Sequence, residues 1–127
     1  DMNADGHLDL VTANIGEANG IYFGDGKGDF SQAIKFGAKD GESYDAFLVD
    51  LDKDGDLDII IGNVGSQNAV FFNDGTGRNF VEARFGAPDD YTYGIAVGDV
   101  NGDGFPDIGV ANSDGLNGIH INQPVRR

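Results

Sequence analysis

The sequence has no cysteine and no tryptophan, only three prolines, and only 8 basic residues among 127. Without cysteine there is no disulfide, no thiol nucleophile and no thiolate zinc site, while the compartment stays open on that count. Eight Lys and Arg against 22 Asp and Glu leave a net charge of −14 and a pI near 4.1. Such a chain cannot neutralise a phosphate backbone, which argues against nucleic acid as a partner. Anionic lipid is disfavoured for the same reason. No apolar run approaches the ~18 residues of a membrane-spanning helix, so no membrane insertion is expected. No helical apolar period persists over ~11 residues, and glycine falls too often for helices.

What is present in quantity is glycine, 21 residues, together with 39% hydrophobic residues that include 9 Phe and 4 Tyr. Disordered acidic chains lack that apolar content, so this one can build a core. Abundant glycine without a collagen period marks tight turns. Turns separated by Ile, Val and Phe point to short strands.

The turns repeat. Asp1-Met2-Asn3-Ala4-Asp5-Gly6-His7-Leu8-Asp9 returns as Asp50-Leu51-Asp52-Lys53-Asp54-Gly55-Asp56-Leu57-Asp58 and as Asp99-Val100-Asn101-Gly102-Asp103-Gly104-Phe105-Pro106-Asp107, each 49 residues on. Asn14, Asn63 and Asn112 keep the same spacing, as do Asn19, Asn68 and Asn117. Phe36-Gly37-Ala38 matches Phe85-Gly86-Ala87, and Tyr44 matches Tyr93. The chain therefore divides into units 1–49, 50–98 and a partial 99–127. The middle copy predicts four strands, A over 46–49, B over 58–62, C over 69–72 and D over 80–83, with a hairpin turn at 73–77. Unit one is expected to lack strand A and unit three strand D. Four short antiparallel strands per unit of this length predict an all-β chain of β-propeller blades, about 2.6 of them. A closed ring needs more, so the expected partners include further blades. These come either from a longer chain, the favoured reading, or from other copies.

The acidic segments place oxygens at positions 1, 3, 5 and 9, with a backbone carbonyl at position 7. Hard oxygen ligands at that spacing suit Ca²⁺, and Gly at position 6 makes the turn that wraps the ion. Two carboxylates ~4 Å apart repel by ~4 kcal/mol at an effective dielectric of ~20, so several converging on one point need a cation. Solvated acidic turns would need one or two Asp, not the same four-oxygen pattern three times. An EF-hand is excluded, because its twelfth position is Glu and here it is Thr12, Ile61 or Val110. The expected ligands are Asp1, Asn3, Asp5, His7 and Asp9 in the first loop. They are Asp50, Asp52, Asp54, Asp56 and Asp58 in the second, and Asp99, Asn101, Asp103, Phe105 and Asp107 in the third. His7, Asp56 and Phe105 would act through their carbonyls. Up to three Ca²⁺ are expected, with the middle loop tightest by charge count and the first at risk because Asp1 lacks an upstream anchor.

The three acidic loops, the Phe-Gly pairs at 36–37 and 85–86 and the Asn residues closing strand B resemble the FG-GAP/VCBS repeat family. These are the calcium-loop blades of integrin α-subunit propellers and of many bacterial extracellular proteins. Pro106 departs from the Leu of the other copies, but it only enters strand B. The resemblance implies an extracellular or cell-surface, calcium-stabilised binding or adhesion module with a protein or glycan ligand on the loop-rich face.

Blade topology puts the A–B and C–D loops at one end and the B–C and D–A loops at the other. The D–A loops, expected over Ala38–Asp45 and Ala87–Gly94, differ in content and are the natural carriers of binding. Tyr44, Asp89, Asp90, Tyr91 and Tyr93 are the candidate ligand contacts. Since Tyr44 and Tyr93 align, packing between blades is their favoured role, which leaves Tyr91 as the better contact. Catalysis is not expected. The best-placed carboxylates are committed to metal, and His7 and His120 fall at non-equivalent positions. The alternative to a binding module is a non-catalytic scaffold or an accessory portion of a larger extracellular enzyme.

Overall fold

Glycine turns cut the chain into pieces too short for anything but strands. The computed structural model describes residues 1–123 and places ten strands among them, with no helix. β1 (Leu10–Thr12), β2 (Asn19–Phe23) and β3 (Gln32–Phe36) form a first sheet. β4 (Ser43–Val49), β5 (Asp58–Asn63), β6 (Asn68–Asn73) and β7 (Phe80–Phe85) form the second. β8 (Thr92–Gly98), β9 (Asp107–Asn112) and β10 (Gly118–His120) form the third. Every pairing is antiparallel between sequence neighbours. The all-β expectation and its pattern of three, four and three strands are met, in the form that propeller blades take. The sheets are offset from the sequence units, because β4 lies within 1–49 yet opens the second sheet.

One boundary needs correction. Strand A begins at Ser43 and Thr92, not in the middle of that segment, and the D–A loops are correspondingly shorter. The cause is a bulge. Pairing with β5 passes from Ser43 to Asp45, and pairing with β9 passes from Thr92 to Gly94. An extra residue breaks the alternation by which a strand is read, so the polar start of the strand looks like loop. Tyr44 and Tyr93 are the extra residues.

The sheets stack face to face, and each interface has its own core. Ile59 and Ile61 of β5 join Met2, Ile21, Phe23, Phe36 and Phe71 between the first and second sheets. Ile60, on the opposite face of the same strand, joins Leu51, Val70, Ile108 and Val110 between the second and third. This is why β5 is apolar at every position from 59 to 61 rather than alternating. Each such side chain contributes roughly 1.5–3 kcal/mol on burial. Edge-on aromatic contacts repeat at the same spacing, with Phe36–Phe71 centroids 5.0 Å apart and Phe85–His120 centroids 4.9 Å apart. His120 thus takes the place of a packing Phe.

Polar ties repeat as well. Asn19 Nδ2 donates to Ser43 Oγ at 3.0 Å, and Ser43 Oγ donates to Asn63 Oδ1 at 2.9 Å. One repeat later Asn68 Nδ2 donates to Thr92 Oγ1 at 2.9 Å, and Thr92 Oγ1 donates to Asn112 Oδ1 at 2.7 Å. The aligned asparagines also close the B–C turns, since Asn14, Asn63 and Asn112 donate their backbone N–H to Asn19, Asn68 and Asn117 Oδ1.

Candidate metal centre

Each acidic loop is coiled by backbone that favours glycine. Gly6, Gly55 and Gly104 at position 6 have φ of 87°, 100° and 91°. Position 4 is also left-handed in Ala4, Lys53 and Gly102. In this coil the side-chain oxygens of positions 1, 3 and 5 accept backbone N–H groups of their own loop. The ninth residue returns from the strand that follows. Asp58 is fully buried, and its Oδ2 and Oδ1 accept the N–H groups of Leu51 and Asn73, both at 2.9 Å. Asp9 and Asp107 accept the equivalent pairs, from Met2 and Gly24 and from Val100 and Asn122. The ninth carboxylate therefore ties its loop to the end of strand C. Sequence reasoning assigned it to metal alone, yet the backbone bonds leave a second lone pair on each oxygen.

The three loops differ at their centres. Among the described residues, one group of three carboxylates converges, Asp50, Asp52 and Asp58, with oxygens within 4.8 Å of one another. In the outer loops position 3 is asparagine, and its amide satisfies the fifth residue. Asn3 Nδ2 donates to Asp5 Oδ2 at 2.9 Å and Asn101 Nδ2 to Asp103 Oδ2 at 3.0 Å. Asp52 has no such donor to give. The first carboxylate differs too. Asp1 accepts from Asp5 and Gly6, and Asp99 from Gly102, Asp103 and Gly104, with both oxygens engaged. Asp50 Oδ2 accepts from Gly55 at 3.1 Å, while its Oδ1 is buried with no hydrogen-bond partner.

The acidities follow that division. Partial desolvation, reinforced by the Asp54 and Asp50 carboxylates, pushes Asp52 above the usual carboxylate range. Burial pushes Asp58 the same way, with Asp52 and Asp54 adding to it against two backbone donors. Asp99 is held low by the Gly104 N–H and its neighbours, and Asp5 by the His7 N–H and the Asn3 amide. The middle loop thus holds a buried unpaired oxygen and two carboxylates whose charge is disfavoured as they stand. A divalent cation would relieve all three, and the donor set is the hard oxygen that Ca²⁺ takes. The residues fit the ion. Asp54 and Asp56 lie on the same loop outside the converging three, and Asp54 Oδ1 accepts the Asp56 N–H at 3.0 Å.

At the opposite end Tyr44 and Tyr93 meet edge to face, centroids 4.5 Å apart, each about half exposed. Tyr91 is also half exposed and bridges Val64 of the preceding B–C loop. Asp90 is used in the turn, its Oδ2 accepting the Ala87 N–H at 3.0 Å and its carbonyl the Gly65 N–H at 2.8 Å. Asp89 is exposed beside it.

The model of one family, described as an FG-GAP-like repeat, matches residues 1–61 and again 50–110. The chain belongs to that family. Each FG-GAP match opens on an acidic loop and runs into the β5 or β9 strand of the next blade, so the repeat in sequence and the interface in space are the same unit. No curated protein and no solved structure matches the chain.

Proposed function

We propose that the chain is a calcium-stabilised extracellular binding or adhesion module. Its FG-GAP blades would hold Ca²⁺ at one end and a protein or glycan ligand at the other. The observation that carries the metal part is the convergence of Asp50, Asp52 and Asp58, one of which, Asp50, has a buried Oδ1 without a hydrogen-bond partner. When bound, the cation supplies positive charge that lets three carboxylates share one point. Asp58 would then fix the loop to β6, while Asp50 and Asp52 would hold the ion from the loop itself. The outer loops share the coil but have their oxygens engaged internally, so they would fill at higher calcium.

On the far end the half-exposed Tyr91 and the Tyr44–Tyr93 pair offer apolar faces with polar tips, a combination common at binding surfaces. The mutual contact of Tyr44 and Tyr93 equally suits a scaffold, and this keeps the scaffold or accessory-portion reading alive. No catalytic step is assigned, because the acidic groups best placed for one are the metal ligands.

Further blades of the same repeat belong among the partners. Val100 and Ile119 are 60% and 65% exposed, whereas the equivalent Leu51 and Val70 are 4% and 5% exposed beneath the next sheet. That face of the third sheet fits another sheet of its own kind. Glycan and protein arrays, read with Ca²⁺ and with EDTA, test the ligand. Binding that is lost in Tyr91→Ala supports the module, and no binding to either array leaves the scaffold. The mass in solution tests for association between copies.

A further inference from the structure

The three ninth-position carboxylates lie on one continuous hydrogen-bonded path. Asp9 accepts the Met2 N–H, and the Met2 carbonyl accepts Asn73 Nδ2 at 2.8 Å. The Asn73 N–H and the Leu51 N–H both go to Asp58. The Leu51 carbonyl accepts Asn122 Nδ2 at 2.7 Å, and the Asn122 N–H goes to Asp107. The path crosses from sheet to sheet at two side chains only, Asn73 and Asn122.

Leu51 sits between two of the three converging acids, Asp50 and Asp52. Its side chain is buried against Ile108 and Val110 of the third sheet, and its carbonyl is held by Asn122 beyond the end of β10. Its N–H is held by Asp58. Its carbonyl is thus held by the neighbouring blade, and its side chain by that blade together with Ile60 and Val70 of its own sheet, so the place of the metal loop depends in part on a sheet that contributes no ligand.

We propose that Asn122 is a positioning residue for the middle metal loop. Through the Leu51 carbonyl it fixes Asp50 and Asp52, so that cation binding at 50–58 and docking of the third sheet on the second are one coupled equilibrium. The proposal rests on the middle loop binding Ca²⁺. By linkage the coupling is reciprocal. Whatever factor Asn122 adds to cation affinity, the cation adds to docking. The first loop has the same grip from Asn73 on Met2, although Asn73 Nδ2 also donates to the Leu57 carbonyl of the middle loop at 3.1 Å.

The test is a Ca²⁺ titration of the whole chain by NMR. The amides of Gly6, Gly55 and Gly104 report the three loops separately. In Asn122→Ala the Gly55 response is expected to move to about tenfold higher calcium, while Gly6 keeps its wild-type midpoint. In Asn73→Ala the Gly6 response moves to higher calcium. Hydrogen exchange of β9 and β10 should slow with calcium in the wild type and lose most of that protection in Asn122→Ala. Asn122→Ser, with a smaller donor, is measured in parallel as the milder change, and its Gly55 midpoint should fall between the two.

A wild-type Gly55 midpoint in Asn122→Ala or Asn122→Ser would overturn the proposal, as would calcium protection confined to residues 50–58. A Gly55 amide that ignores calcium in the wild type would instead overturn the metal reading beneath it.

Discussion

A β-carbon built on Gly62 would stand 3.0 Å from Thr92 Cγ2, across the interface between the second and third sheets. It would also stand 3.3 Å from Ile95 Cδ1. One repeat earlier the same positions are Ala13, Ser43 and Ala46. Between Ala13–Ser43 and Gly62–Thr92 a methyl group has moved across the interface, while Ile95 adds three carbons over Ala46. Both interfaces keep the hydroxyl that completes the asparagine relay. Gly62→Ala alone is therefore expected to cost about 1 kcal/mol through overpacking. Paired with Thr92→Ser it should recover part of that loss, because Ile95 still stands 3.3 Å from the new methyl. Urea denaturation of both single variants and the double variant measures the coupling. Additive effects would show that the two residues do not share that space.

The middle loop should owe its affinity to the carboxylate at position 3. Asp52→Asn restores the amide that the outer loops carry and is expected to lower calcium affinity there by about tenfold, about 1.4 kcal/mol. The reverse change, Asn101→Asp, should raise affinity in the third loop, because it removes the internal donor that occupies Asp103. Calorimetric titration of each variant checks both directions.

Gly55 has open space around it, with nothing within 4 Å of a built Cβ, but its φ is +100°. Gly55→Ala therefore carries a backbone cost and no steric one, about 1–2 kcal/mol. The loss should appear in EDTA as well as in calcium. A neutral result in EDTA would mean that the loop relaxes when metal-free.

Acidity separates the loops. Asp52 and Asp58 have raised folded values, so in the calcium-free chain they cost stability above those values, and the cost is relieved as pH falls towards 3.8. Asp5 and Asp99 are lowered, so their contribution is complete above 3.8 and is lost below it. In EDTA the wild type should gain stability relative to Asp52→Asn as pH falls from neutral towards 3.8. Calcium should abolish that difference. Denaturant midpoints across that range are the measurement.

Much of this was legible in the residues. The repeat at fixed spacing exposed the blades, and β5 and β6 were plain because a run such as Ile59-Ile60-Ile61 has no polar face to hide. The coil of the acidic loops followed from Gly at position 6. What escaped depends on contacts between repeats rather than within one. Strand A starts early because of bulges at Tyr44 and Tyr93, which no alternation can show. Asn73 reads as a turn residue and Asn122 carries no signal of its own, and only the stacking of sheets reveals that their amides reach the neighbouring loop. The difference between Asp50 and Asp99 is likewise invisible in a shared pattern, since it lies in which backbone N–H groups each oxygen meets.

The central claim is that the middle acidic loop is completed by calcium. Its most direct test is thermal unfolding of the chain in EDTA and in millimolar calcium, alongside Asp50→Asn. With calcium ~100 times above Kd, one site adds about 2.7 kcal/mol, and the melting temperature should rise by several degrees. Asp50→Asn should remove most of that rise. An unchanged melting temperature in calcium, or a rise of the same size in Asp50→Asn, would contradict the account.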